Sequence, residues 1–223
     1  MRLPMTRTRF LSLALSFVAA IVTAAPQAFA ASPVPVSTST SARAATESIV
    51  FAGGCFWGVE AVFRHVKGVT SAVSGYSGGD KATAHYEIVS SGRTDHAESV
   101  QVEYDPAVVT LDTLLNVFFT VAHNPTELNR QGPDVGTQYR SAIFYSTPVQ
   151  QETIAAFIAK LQASKVYGRP IVTAVEPLKG FYAAEAYHQD YMKKHPNQPY
   201  IVFNDKPKVA NLKTRFPELY VEG

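Results

Sequence analysis

A strand that runs straight into a helix, with a thiol at the junction, constrains how the rest of this chain can pack. Ser48-Ile49-Val50-Phe51-Ala52 is a short, strongly apolar strand candidate. Gly53 and Gly54 break it. A helix is predicted from about Cys55 to Lys67, because Val59, Val62, Phe63 and Val66 recur on one face and Gly68 stops it. A strand and an amphipathic helix joined this closely must bury their apolar surfaces in a common core.

The pattern downstream supplies the partners. Val69 to Tyr76 reads as a second strand, ending in the turn-rich Ser77-Gly78-Gly79-Asp80. Ser99 to Tyr104 alternates clearly and is closed by Asp105-Pro106. Leu111 to His123 is a strongly apolar helix, Thr126 to Thr137 is loop-like, and Gln138 to Tyr145 is another strand. Pro148 opens a helix that runs to about Lys165, at an early position where proline is tolerated. Ile171 to Val175 reads as a strand and Ala183 to Lys194 as a helix, while the tail from Tyr200 has no strong pattern. Strands and helices alternate, with one adjacent strand pair. The expected fold class is therefore α+β: a two-layer sandwich with a mixed sheet and a split βαβ (ferredoxin-like) core with extra helices.

Ahead of this lies a segment of different character. Arg2, Arg7 and Arg9 form a positive start, Phe10 to Val22 is apolar apart from small polar residues, and Ala28-Phe29-Ala30 fits a small-x-small cleavage pattern. The apolar run is short for a bilayer span, which needs about 20 residues. The expected organisation is a secretory signal over 1–30, a flexible Ser/Thr/Ala/Pro linker over 31–46 and one folded domain over 47–223. That organisation implies export, to a periplasm or to the medium. The hydrophobic share of 46% and charged share of 17% suit a globular core. A net charge of +2 is too small to imply nucleic acid or an anionic membrane as the main partner. Four of the basic residues, Arg2, Arg7, Arg9 and Arg43, precede the domain, which is itself slightly acidic.

The chain holds a single cysteine, so no internal disulfide can form. A lone thiol exported to an oxidising compartment is either buried and inert or kept for its reactivity. The setting of Cys55 favours reactivity. A helix N-terminus presents unpaired N–H groups and the positive end of the dipole, both of which favour thiolate over thiol. The glycines at 53 and 54 leave the approach to sulfur open, and Phe56 and Trp57 add aromatic faces suited to a small apolar group. On the strand that follows, Glu98, Val100, Val102 and Tyr104 share a mostly apolar face. Glu98 is either a core-facing acid with a raised pKa or a strand-end carboxylate turned to solvent. His85, His96, His123 and His188 have no ligand-like spacing, so no metal site is expected.

At Gly54-Cys55-Phe56-Trp57-Gly58 the chain resembles the peptide methionine sulfoxide reductases of the A type. The resemblance extends through His96-Ala97-Glu98, Tyr104-Asp105-Pro106, the stretch from Asp134 to Ser141 and the stretch from Glu185 to Tyr191, in the family's order. It spans roughly Ile49 to Tyr220. It implies that Cys55 attacks the sulfur of methionine S-sulfoxide, in free methionine or in peptides and proteins, and becomes a sulfenic acid. It implies that Phe56 and Trp57 hold the substrate methyl group. Glu98 would give a proton to the sulfoxide oxygen, Tyr86 and Tyr139 would hydrogen-bond to it, and Asp134 would be a further polar residue at the site. Nothing local in the sequence singles out the two tyrosines, whose assignment rests on the resemblance.

Many members of that family carry a second cysteine near the C-terminus that resolves the sulfenic acid, and this chain lacks one. The expectation is therefore no bound cofactor, an external thioredoxin-like thiol reductant, a monomer, and oxidised envelope proteins as substrates. The alternatives are another thiol hydrolase, such as a cysteine peptidase using His96 or His188 as base, and a non-enzymatic secreted binding domain with Cys55 in its core.

Overall fold

The computed structural model describes residues 46–223. The signal and nearly all of the linker expected over 1–46 lie outside the described residues. In chain order the elements are β1 (Glu47–Gly53), α1 (Phe56–Arg64), β2 (Val69–Ser77), α2 (Tyr86–Val89), β3 (Ala97–Tyr104) and α3 (Leu111–Val117). There follow β4 (Arg130–Gln131), β5 (Asp134–Val135), β6 (Ser141–Tyr145), α4 (Pro148–Ala163), β7 (Ala174–Pro177), β8 (Phe181–Ala183), α5 (Tyr191–Lys194) and α6 (Lys206–Arg215).

Six of the strands form one sheet in the order β7-β6-β1-β3-β2-β8. Its four central strands, β6-β1-β3-β2, pair antiparallel with one another and follow the connectivity of a split βαβ core. At the edges β7 joins β6 in parallel and β8 joins β2 antiparallel, so the sheet is mixed. This is the fold class read from the sequence.

Alternation along β1 divides the core between the two faces. Ile49 and Phe51 point to the helical side, where they join Val100, Val102 and Tyr104 of β3 and Val59, Val62 and Phe63 of α1. Phe51 is the keystone of this face, stacked on Phe63 at 4.8 Å and on Phe118 at 4.7 Å. Each such buried ring contributes about 1.5–3 kcal/mol. Val50 and Ala52 point the other way, against Ala142 and Phe144 of β6, with Leu178 and Phe181 packed over them. Burial on both faces explains why β1 reads as an unbroken apolar run.

A buried charge ties α1 to the rest. Glu60 accepts hydrogen bonds from Ser74 Oγ at 2.7 Å, from the Asp190 backbone N–H at 2.9 Å and from Arg64 Nε at 2.8 Å. The carboxylate is 1% exposed, so these donors replace the water it has lost. It thereby pins the loop before α5 to both α1 and β2.

Several elements differ from the sequence reading. The helix expected over Ala183–Lys194 is instead the end of β8, a series of turns and the single-turn α5. Its apparent periodicity arises because Glu185, His188 and Gln189 each face inward to make specific bonds. The strand expected over Gln138–Tyr145 begins only at Ser141, and Tyr139 lies in a 3-10 turn, Thr137–Tyr139. The loop over 126–137 contains the small β4–β5 hairpin. The strand expected at Ile171–Val175 is shifted to β7. The patternless tail folds into a π-turn, Ile201–Asp205, that leads into α6. The apolar helix expected over Leu111–His123 is present as α3 continued by a π-turn, Phe118–Ala122, and is capped by Thr110.

The β1–α1 junction turns at Gly54, whose φ of +92° is accessible chiefly to glycine. A Cβ there would stand 2.6 Å from Gln131 Cβ. Gln131 in turn bonds the Asn124 backbone N–H and carbonyl at 3.0 and 3.1 Å. Gly54→Ala is expected to destabilise the domain by about 1–3 kcal/mol through backbone strain and displacement of Gln131. A urea unfolding curve checks this; an unchanged midpoint would show that the junction relaxes freely.

Candidate active site

Cys55 occupies the position just before the first residue of α1 and is 6% exposed. Its thiol faces the carboxyl group of Glu98, which β3 brings to the same end of the sheet. Glu98 is 2% exposed, so the core-facing reading is correct and the solvent-facing one is not. The Phe56 backbone N–H, the first of the helix, donates to Glu98 Oε2 at 3.0 Å. One of the orphan donors at the helix N-terminus is thus committed to the acid rather than to the sulfur.

This changes the electrostatics expected of the thiol. Burial pushes the Cys55 thiol well above its ordinary range, and the Glu98 and Asp205 carboxyls push it further. The Trp57 backbone N–H and the Lys208 ammonium oppose them without prevailing. The expected thiolate is therefore a protonated thiol at rest, because desolvation outweighs the helix terminus. Burial likewise pushes Glu98 up to about 8, against the Phe56 N–H and with help from Asp134. At neutral pH the resting pair is an un-ionised thiol beside an un-ionised carboxylic acid.

The other residues named from the sequence converge here. Tyr86 opens α2, where its backbone N–H donates to Glu185 Oε1 at 2.9 Å. Burial, Glu98 and Cys55 all push the Tyr86 phenol up. Tyr139 has the same neighbours and Asp134 in addition, so both phenols face the thiol–carboxyl pair and stay protonated as donors. Asp134, on β5, accepts a hydrogen bond from the Tyr200 hydroxyl. Phe56 is 1% exposed and forms the floor of the site, packed on Tyr76 and His188.

Trp57 is half-buried and is held on three sides. Its indole stacks on Tyr191 with ring centroids 3.7 Å apart and meets the edge of Tyr200 at 5.9 Å. Its Nε1–H donates to His188 Nδ1 at 3.1 Å, which requires that nitrogen to be unprotonated. Burial lowers the His188 pKa and favours the neutral ring.

Tyr191, Tyr200, Glu185, Asp205 and Lys208 were given no role from the sequence, and His188 was named only as a candidate peptidase base. The stretch from Glu185 to Tyr191 gave a signal only as one of the blocks that carry the family resemblance, with no role attached to its individual residues. The tail gave none, because a π-turn and a short helix have no long periodicity to read. Neither histidine suggested as a peptidase base serves Cys55. His96 is engaged through Nδ1 with the Gly79 N–H and through Nε2 with the Asp80 carbonyl, and His188 Nδ1 is engaged with Trp57. Among the described residues no three His, Cys, Asp or Glu side chains cluster so as to hold a metal ion.

This arrangement can do one kind of chemistry well. A small polar oxygen placed between Glu98, Tyr86 and Tyr139 would meet three protonated donors, with a nucleophilic sulfur beside it and an aromatic wall for an apolar substituent.

Comparison with known proteins agrees with that chemistry. Residues 47–219 match the family model described as peptide methionine sulfoxide reductase. The chain is 59% identical over 177 residues to peptide methionine sulfoxide reductase MsrA 2 of Mesorhizobium japonicum, covering 79% of this chain and 91% of the relative. It is 49% identical to MsrA 2 of Synechocystis, covering 81% and 84%. Among solved structures, reduced Mxr1 of Saccharomyces cerevisiae superposes with a TM-score of 0.64 at 38% identity, covering 70% of this chain and 89% of the other. Methionine sulfoxide reductase A of Corynebacterium diphtheriae gives 0.60 at 39% identity, covering 69% and 76%. The chain belongs to the peptide methionine sulfoxide reductase A family and is a thiol-dependent oxidoreductase.

Proposed function

We propose that this protein reduces methionine S-sulfoxide, free or in peptides and proteins, through a sulfenic acid at Cys55. The observation that carries the reading is the buried contact between the Cys55 thiol and the protonated Glu98 carboxyl. The substrate methyl group rests against Trp57 above the Phe56 floor, and the sulfoxide oxygen lies between Glu98, Tyr86 and Tyr139. Glu98 gives its proton to that oxygen as Cys55 Sγ attacks the sulfur. The carboxylate so formed takes the thiol proton, while the Phe56 N–H stabilises it in transit. The balance is closed: the oxygen passes to Cys55, methionine leaves, and the thiol becomes Cys55–SOH with no net gain or loss of protons.

Recovery of the thiol requires a partner, since the chain has one cysteine. An external thiol attacks the sulfenic sulfur, forming a mixed disulfide and water, and a second external thiol then releases Cys55 as thiol. A thioredoxin-like dithiol supplies both. The basic, apolar start of the chain supports export and a role in repairing oxidised envelope proteins.

Incubating the purified protein with each epimer of a methionine sulfoxide peptide and dithiothreitol tests the reading; turnover of the R epimer alone would overturn it. With one equivalent of substrate and no reductant, the mass should rise by about 16 units and a dimedone adduct should map to Cys55, the signature of a sulfenic acid. A loss of about two units, or a disulfide-linked dimer, would refute direct exchange with an external thiol. Because Glu98 must carry a proton to act as acid, the reductase step should slow as pH rises through about 8. Glu98→Gln should lose that limb and slow the step by about 10² to 10⁴. Cys55→Ser should abolish turnover with the fold intact. Trp57→Ala should raise KM and slow the reductase step, whereas unchanged kinetics would reduce Trp57 to a packing role.

A further inference from the structure

The proposed chemistry leaves one buried ion pair unused. Asp205, the last residue of the π-turn, is 0% exposed, and its Oδ1 accepts from Lys208 Nζ at 3.3 Å. Among the described residues its Oδ2 has no hydrogen-bond partner. An ion pair placed this deep contributes little net stability, because desolvation offsets most of the attraction. Its position indicates what else it does. A Cβ at position 58 would collide with Asp205 Oδ1 and stand 2.8 Å from Lys208 Nζ. Gly58 lies three residues after Cys55, one turn along the same helix face. The absence of a side chain there lets both charges settle on the first turn of α1, under the nucleophile.

The charges around the sulfur are otherwise of one sign. Glu98 from β3 and Asp205 from the π-turn act directly on Cys55, and Asp134 from β5 adds to Glu98 and Asp205. The phenols of Tyr86, Tyr139 and Tyr200 face the same point and bring no positive charge. His188 and His123 are held neutral by burial, His123 at about 3. Lys208 is the cation that acts on Cys55, Asp134 and Asp205 alike.

We propose that Lys208, seated on Asp205 over the first turn of α1, is a positioning residue for Cys55. Its ammonium offsets the carboxylates that crowd the sulfur and makes the thiolate accessible to attack. Asp205 holds Lys208 in place and sets the opposing charge. The two together tune one nucleophile with opposite signs.

The inference rests on the proposed function only in taking Cys55 as the reactive thiol, and it is tested on the thiol itself. The measurement is the rate of iodoacetamide alkylation of Cys55 against pH in the full-length protein, with no substrate present. Lys208→Met should move the rising limb upward by about half a pH unit or more, the scale on which a nearby charge acts. Lys208→Arg should restore it. Asp205→Asn should move the limb downward, and the double variant Asp205→Asn/Lys208→Met should lie near the parent. Glu98 titrates in all of these proteins, so the differences between them belong to the pair. Superimposed profiles for Lys208→Met and the parent would overturn the proposal. So would equal upward shifts in Lys208→Met and Lys208→Arg, or in Lys208→Met and Asp205→Asn, because a purely structural role carries no sign. Should Lys208→Met fail to fold, Lys208→Gln takes its place and must show the same upward shift relative to Lys208→Arg. Absence of reductase activity together with the expected alkylation shifts would reject the proposed function and leave this inference standing.

Discussion

The site depends on desolvation at the N-terminus of α1. Cys55 and Glu98 are both removed from water there, and each is more easily kept neutral than charged. The helix terminus offers its first N–H to Glu98 at 3.0 Å and so stabilises the carboxylate form that the proposed mechanism requires. A site poised in this way is quiet at rest. In the proposed mechanism its nucleophile becomes strong only when a bound oxygen accepts the Glu98 proton, which would couple activation of the thiol to arrival of substrate. A protonated resting thiol also reacts slowly with stray oxidants and disulfides, because the thiolate is the reactive form.

The frame serves that arrangement. The Phe51–Phe63–Phe118 stack holds β1, α1 and the turn after α3 in one rigid block. Gly53 allows His123 to approach, since a Cβ there would stand 2.9 Å from its ring. His123 then bonds Ser141 Oγ at 2.7 Å and the Phe118 carbonyl at 3.0 Å, joining β6 to the helical layer below Cys55. On the other side of α1, buried Glu60 anchors the loop that carries His188. The aromatic wall is thus positioned from two directions. α1 supplies Trp57, while the chain after β8 supplies His188, Tyr191 and Tyr200, which fix the indole.

Much of this was legible in the residues themselves. The unbroken apolar run of β1, the apolar face of α1 at Val59, Val62 and Phe63, and the alternation of β3 are local patterns that survive into the fold because burial enforces them, although α1 ends at Arg64 and leaves Val66 beyond it. The elements misread are those held by side-chain bonds rather than by period. The stretch from Ala183 to Lys194 resembles a helix by spacing, yet Glu185 and Gln189 spend their polar groups on Tyr76, Tyr86 and Ser74 across the sheet. Tyr86 and Tyr139 carried no local sign of function, since a tyrosine's role depends on what it faces.

The sequence by itself determined that a lone thiol would sit at a strand–helix junction, that two aromatic rings would flank it, and that no second cysteine of the sequence could pair with it. These follow from residue type, order and count. Only the tertiary structure decided the protonation of the site. The charge on Cys55 depends on whether Glu98 points inward, whether Phe56 N–H serves acid or sulfur, and where Asp205 and Lys208 lie. Those groups are separated by as many as 153 positions in the chain numbering between Cys55 and Lys208, and they meet only when the sheet order and the last turn are in place. Electrostatics falls off with distance in space and is blind to distance along the chain, so no local pattern could have announced it.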